Sequence, residues 1–240
     1  MKKLMGKIVM CLSSLMMLVG CSPETAESAT YSVEIDPNNF VTTIDNPYFP
    51  RLPGSKYVYE GHTEEGMERV VLEILGETKV VMGVTTTIMR DTVTIDGEIV
   101  EDTYDWFAQD KEGNVWYFGE AVNDYENGQL VSKAGSWEAG VDGALPGIVM
   151  YGTPAAHVGE VYLQEYYKGE AEDTAELISA NEAVTIPLGN FDDVIQTYDY
   201  TPLDAEAQEH KFFAAGIGEI KAVDLNTGDE VVLVEFSPAE

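Results

Sequence analysis

From Lys56 onward the chain repeats short stretches rich in Val, Ile, Thr, Tyr and Phe, punctuated by glycine or by Asn/Asp-Gly pairs. Alternation with a period near two, bounded by turn residues, is the pattern of antiparallel strands joined by hairpins, and long helical periods are scarce. The expected strands are 56–61, 67–75, 79–81, 85–95, 98–108, 115–119, 129–132, 161–167, 174–186, 191–201, 209–214, 218–224 and 230–236. Asp96-Gly97 and Asn127-Gly128 give the clearest hairpin turns, because both pairs tolerate the positive φ that such turns require. The glycine-rich stretch 133–159, with Pro146 and Pro154, has no clear period and is expected to be a long flap over one end of the sheet. The predicted fold is a large antiparallel sheet, curled or barrel-like, because closing or covering a sheet hides its apolar face and its edges.

The first thirty residues follow a different pattern. Lys2, Lys3 and Lys7 precede an apolar run from Ile8 to Val19, too short for a permanent span, which ends in Leu18-Val19-Gly20-Cys21. That ending resembles the lipobox of bacterial lipoproteins, and the resemblance implies a cleaved signal at 1–20 and acylation of Cys21. Acyl chains on one cysteine, at roughly 0.8 kcal/mol per buried methylene, hold a protein at a membrane without any spanning segment. Ser22 in place of the aspartate retention signal implies the outer membrane if the organism has two. Residues 21–30 read as a tether, Pro23 to Thr30 being small and polar, so 31–240 is expected to be a single β-rich domain outside the cytoplasm.

Composition narrows the chemistry. The cysteines are Cys11 and Cys21, so once the leader is removed and Cys21 is acylated the domain holds no disulfide, thiolate ligand or cysteine nucleophile. There are 13 Lys and Arg against 43 Asp and Glu, a formal net charge of −30 that becomes more negative without the leader. Nucleic acid and anionic headgroups would be repelled by such a chain. The charge reads first as a solubility adaptation, because the acids are spread along the sequence; a cation-attracting surface and a docking face for a basic partner are the alternatives.

Several segments, Asn46-Pro-Tyr-Phe-Pro50, Gly113-Asn-Val-Trp-Tyr-Phe-Gly-Glu120, Gly135-Ser-Trp-Glu-Ala-Gly140 and Gln164-Glu-Tyr-Tyr167 with Gly169-Glu-Ala-Glu-Asp173, resemble a group of uncharacterised bacterial secreted proteins and lipoproteins. The resemblance implies an envelope protein and names no chemistry. A further segment, His210 to Gly218, carries Ala215 where the group commonly has proline.

Catalytic and cofactor patterns are missing: there is no Gly-x-Ser-x-Gly, His-Glu-x-x-His, Walker loop or dinucleotide fingerprint. His62, His157 and His210 lie too far apart for short-range zinc spacing. Carboxylates are too abundant for a glycosidase pair to stand out. Asp102, Asp105, Glu170, Glu172 and Asp173 are candidate calcium ligands, since that ion takes several hard oxygens in flexible geometry, with solvated loop acids as the alternative. Tyr104, Trp106, Trp116, Phe118, Trp137, Tyr166 and Tyr167 form a candidate ligand-binding face. Alternate strand residues share a face, so Tyr104 pairs with Trp106 and Trp116 with Phe118, while Phe107 and Tyr117 point away. One aromatic face must be core; the other, if uncovered, would suit a sugar ring or an apolar ligand. The expected function is that of a membrane-anchored, non-enzymatic domain binding a small ligand or envelope partner. A carboxylate-dependent hydrolase and a purely structural surface protein are the rivals.

Overall fold

The structure is a computed structural model that describes residues 31–239; the expected signal, the expected acylation site Cys21 and the expected tether lie outside the described residues. The chain is nearly all antiparallel β, wound into an almost closed barrel. A short strand β1 (Phe40–Val41) precedes β2 (Lys56–Thr63), β3 (Gly66–Val81), β4 (Val84–Ile95), β5 (Glu98–Asp110) and β6 (Val115–Ala121), which form a meander. The small strands β7 (Asp124–Glu126), β8 (Gln129–Ser132) and β9 (Trp137–Glu138) lead to β10 (Leu145–Met150), followed by β11 (Val161–Leu163) and β12 (Glu165–Tyr166). A second meander completes the wall: β13 (Thr174–Ile186), β14 (Gly189–Thr201), β15 (Asp204–Ala214), β16 (Gly218–Asp224) and β17 (Glu230–Ser237).

Closure comes from two joints. The last strand, β17, pairs with β2 from Val231 opposite Gly61 to Ser237 opposite Lys56. On the far side β10 is the keystone, pairing with β6 at Tyr117–Gly147 and with β12 at Glu165–Pro146, while β11 pairs with β13. The expected flap therefore contains a wall strand. Its glycines are what the joint requires: a Cβ on Gly147 would lie 2.4 Å from the Leu163 carbonyl oxygen, inside any real contact.

The expected hairpins form at Asp96-Gly97 (φ +51° and +84°) and Asn127-Gly128 (φ +50° and +72°). A third tight turn of the same kind falls at Met82-Gly83 (φ +49° and +81°), between β3 and β4, where the sequence offers only the glycine as a cue.

Two cores lie on opposite faces of this wall. Inside the barrel, Tyr57, Leu72, Ile74, Met89, Phe107, Leu177, Ile195, Phe213 and Leu233 pack together. Their end of the barrel is plugged by 44–51, where Ile44, Phe49 and Arg51 are buried. Asn46 explains why the plug is so specific. Its amide nitrogen donates to the carbonyls of Gly113 (2.8 Å) and Tyr151 (3.0 Å), its Oδ1 accepts from Tyr48 N–H, and its own N–H donates to Gln109. A buried amide with every group paired fixes one docking geometry.

Outside the wall, Trp106, Ala108 and Phe118 are covered by Ala139 and Ala144 from the 133–145 strap and by Ile35 and Phe40 from the N-terminal segment, while Trp137, opposite Glu120, packs edge-on against Tyr117. Lys79 Nζ stands 3.1 Å from the centre of the Trp106 ring and 2.8 Å from Glu138, tying β3 to the strap.

Candidate functional site

The aromatic residues singled out in the sequence divide between core and surface. Trp106, Phe118 and Trp137 are 7%, 0% and 5% exposed, so they are packing residues and not an open row. The alternation along β5 holds, but at this end both faces of the strand are covered, and Phe107 is as buried in the inner core as Trp106 is in the outer one. Tyr104, Trp116, Tyr166 and Tyr167 remain half-buried. Trp116 borders an external cleft of about 280 Å³ with Asp36, Asn38 and Lys111. Its indole N–H donates to Asp110 and Phe40 packs edge-on against it.

The calcium candidates do not converge. Asp102 and Asp105 lie on opposite faces of β5. Asp102 accepts both Nε and NH2 of Arg90 (2.7 and 3.2 Å), whereas Asp105 points inward and accepts the Tyr117 hydroxyl at 2.6 Å. Glu172 accepts the Gly169 N–H within its own turn and Glu170 is exposed. No group of three or more His, Cys, Asp or Glu among the described residues has the geometry to hold a metal ion.

What the register does bring together is a set of acids inside the barrel. Directly opposed residues on neighbouring antiparallel strands share a face. Tyr57 opposes Leu72, Leu72 opposes Asp91, and Asp91 opposes Thr103, so Asp91 faces the interior with the core. By the same rule Ile74, Met89, Asp105 and Glu120 form one inward row. Across the lumen, Tyr162, Ala175, Asp199 and Glu209 form another, and Leu177, Thr197 and Lys211 a third. One half of the interior is thus apolar and plugged, and the other half is polar.

Burial in this polar half makes ionisation costly and changes protonation. It lifts the Asp105 carboxyl to about 7, with the Tyr117 hydrogen bond and the Arg51 charge restraining the rise. Glu120, desolvated and repelled by Asp105, Glu165 and Glu101, is pushed to about 9. Glu165 rises to about 8, first by burial and then by Asp173; the Trp137 indole faces it and lowers it, but lies outside hydrogen-bond geometry. On the opposite wall Glu219 rises to about 7, burial outweighing the nearby Lys211 cation. Asp91 is raised well above the carboxylate range by burial and by Asp105, Glu101, Glu219 and Glu68. For Lys211 burial works in the lowering direction, and Asp199, Glu209, Glu219 and Asp173 outweigh it, so its ammonium is held charged.

Solvent reaches this region: Lys211 points inward among carboxyls, 3.6 Å from Asp199 and 3.5 Å from Glu209, yet 30% of its side chain is accessible. Polar atoms nonetheless stay unpaired. Tyr162, 9% exposed, carries a buried hydroxyl with no partner in the protein, in the field of Asp199 and Lys211. Asp91 Oδ1 is likewise buried and unpaired. At the floor Arg51 is 2% exposed with its guanidinium 3.7 Å from the centre of the Phe49 ring, and its Nε has no partner.

The sequence passes over Asp91, Glu120, Glu165 and Glu219 because acids are abundant throughout the chain, and over Lys211, Tyr162 and Arg51 because no motif surrounds them. The available signal is local: Asp91 sits between Met89 and Val93 at the inward parity of an otherwise apolar row.

Comparison with known proteins adds little to this geometry. No known family model matches the chain, and no curated protein matches it in sequence. A solved structure described as a putative lipoprotein from Parabacteroides distasonis is similar over 80% of this chain and 99% of its own, with 13% identity and a TM-score of 0.39. At that level the likeness carries no argument about family or function.

Proposed function

We propose that the protein is a lipid-anchored lipoprotein of the bacterial envelope whose barrel binds a small ligand in the polar half of its lumen. The anchor rests on the basic start, the short apolar run and the lipobox-like Leu18-Val19-Gly20-Cys21. No helix among the described residues is long and apolar enough to cross a membrane. The ligand reading is carried by one observation. Buried polar atoms without protein partners, Tyr162 Oη and Asp91 Oδ1, face an interior that solvent reaches. Leaving such atoms unpaired costs on the order of 1–3 kcal/mol each, a cost a bound molecule would remove.

Two measurements test the two halves. Cys21→Ser should move the protein from the membrane to the soluble fraction, and continued membrane retention would contradict the anchor. Native mass spectrometry of the Cys21→Ser protein, purified gently from its own host, should then show a bound mass. A clean protein mass, with no ligand found by screening, would point to a protein-binding or structural role.

A further inference from the structure

The interior walls oppose many carboxyls to few cations. Glu68 on β3, Asp91 on β4, Asp105 on β5, Asp199 on β14 and Glu219 on β16 act on one another across the lumen. Against them the inward faces of the described strands present Lys211, and the floor Arg51. An anionic ligand would meet this field head-on. A divalent metal ion needs six or more oxygens around one point, and the carboxyls are spread over separate strands with no three of them converging. A neutral ligand could pair with the free hydroxyl of Tyr162 but would leave the charge imbalance untouched.

A chain of ammonium groups fits both the sign and the spacing. A terminal ammonium offers three donors, an internal one two, and neither an acceptor, matching the unpaired Asp91 Oδ1, and the Tyr162 oxygen can accept as well. Methylene linkers between the ammoniums would lie against the apolar side chains that share the inward face, Val70 and Val93 beside Asp91 and Ile220 beside Glu219. We propose, building on the reading of the lumen as a ligand site, that its ligand is a linear organic polyamine whose ammonium groups pair with carboxylates on opposite walls, Asp91 on one and Glu219 on the other.

Glu219, raised to about 7, is largely protonated at pH 6.5, so pairing it with an ammonium at that pH would release protons. The groups facing Asp91 are Asp105, Glu101, Glu219 and Glu68, and those facing Glu219 are Lys211, Glu209, Asp199 and Arg51. The balance of acids over bases therefore favours cation uptake as pH rises from 6.5 to 8.5, while the terminal amines stay charged.

The test is isothermal titration of the Cys21→Ser protein with spermidine at pH 6.5 and 8.5 and fixed ionic strength, repeated in two buffers of different ionisation enthalpy to count protons. One-site binding that tightens at the higher pH, with proton release at pH 6.5, is expected. Asp91→Asn with Glu219→Gln should weaken it about tenfold or more, the loss of one to two charge-assisted contacts. Both substitutions are near-isosteric, and a retained melting transition shows that the variant folds. A second variant, Glu64→Gln with Glu65→Gln on the exposed β2–β3 turn, should bind spermidine unchanged. Equal affinity in the lumen variant, or loss in the turn variant, would mean surface counter-ion binding and would overturn the proposal. No spermidine binding at pH 8.5, with a neutral or anionic mass carried by the host-purified protein, would overturn the polyamine assignment and leave the lumen as a ligand site. No spermidine binding with a clean host mass would overturn both.

Discussion

Replacing Glu120 with glutamine removes an ionisable group from the inward row that also carries Asp105. In the folded chain this carboxyl titrates at about 9 in place of 4.5, because burial and the neighbouring acids disfavour its charge. Between those two values the folded protein holds a proton that the unfolded chain has released, so stability is complete below about pH 4.5 and is lost as pH rises towards 9. Converting the whole displacement at about 1.36 kcal/mol per unit gives a ceiling of roughly 6 kcal/mol. Partial exposure of the Glu120 side chain and proton sharing with Asp105 and Glu165 lower the cost actually paid, leaving about 2 kcal/mol at pH 9. Glutamine keeps the shape and cannot ionise. Glu120→Gln should therefore be nearly neutral at pH 5 and raise Tm by about 4–8 °C at pH 9, on the usual conversion for a domain of this size. Thermal unfolding of the Cys21→Ser background at the two pH values measures it. An equal change at both, or a loss of stability at pH 9, would refute the assignment of Glu120 as a buried, protonated acid.

Three further outcomes follow from packing and local geometry. Phe118→Ala should cost about 3–5 kcal/mol in denaturant unfolding, since the ring is wholly buried beneath the 133–145 strap and Phe40 packs edge-on against it. Gly119→Ala should destabilise the protein and loosen the strap, detectable as faster proteolysis near Trp137, because φ is +132° and a Cβ would stand 2.4 Å from the Trp137 carbonyl oxygen. Millimolar calcium at fixed ionic strength should leave Tm unchanged, because Arg90 already occupies the Asp102 carboxylate and the other candidate acids do not converge with it; a rise of several degrees would restore the calcium reading.

The strands were legible in the sequence because each strand buries a face, and burial writes itself as alternation. Two kinds of element escaped that signal. The Met82-Gly83 turn lies inside a continuous run of β-forming residues, so the expected strands 79–81 and 85–95 bracket it without a polar break to mark it. Strand β10 escaped for the opposite reason: as the keystone between β6 and β12 it is dominated by the close approach of other backbones, which selects Pro146 and Gly147 over the β-branched residues that would have announced it.

The site was harder to see for a physical reason that also explains what it is. Parity alone correctly separates Trp106 from Phe107, but it cannot say that a strap and an N-terminal segment cover the outer face, so the aromatic row looked open where it is core. The same parity places Asp91, Asp105 and Glu120 on the inward face, where a sequence reader expects apolar residues and discounts acids as solvated. Inward acids are tolerated in this barrel without ion-pair partners, provided they stay protonated or gain a counter-ion. Retaining such acids in one half of the lumen, while the other half is packed and plugged by Asn46 and its neighbours, destabilises the fold as pH rises. An interior that needed only to be stable would hold leucine at Asp91, as it does at the opposing Leu72; the unpaired carboxyl there is the feature on which the proposed cation-binding lumen rests.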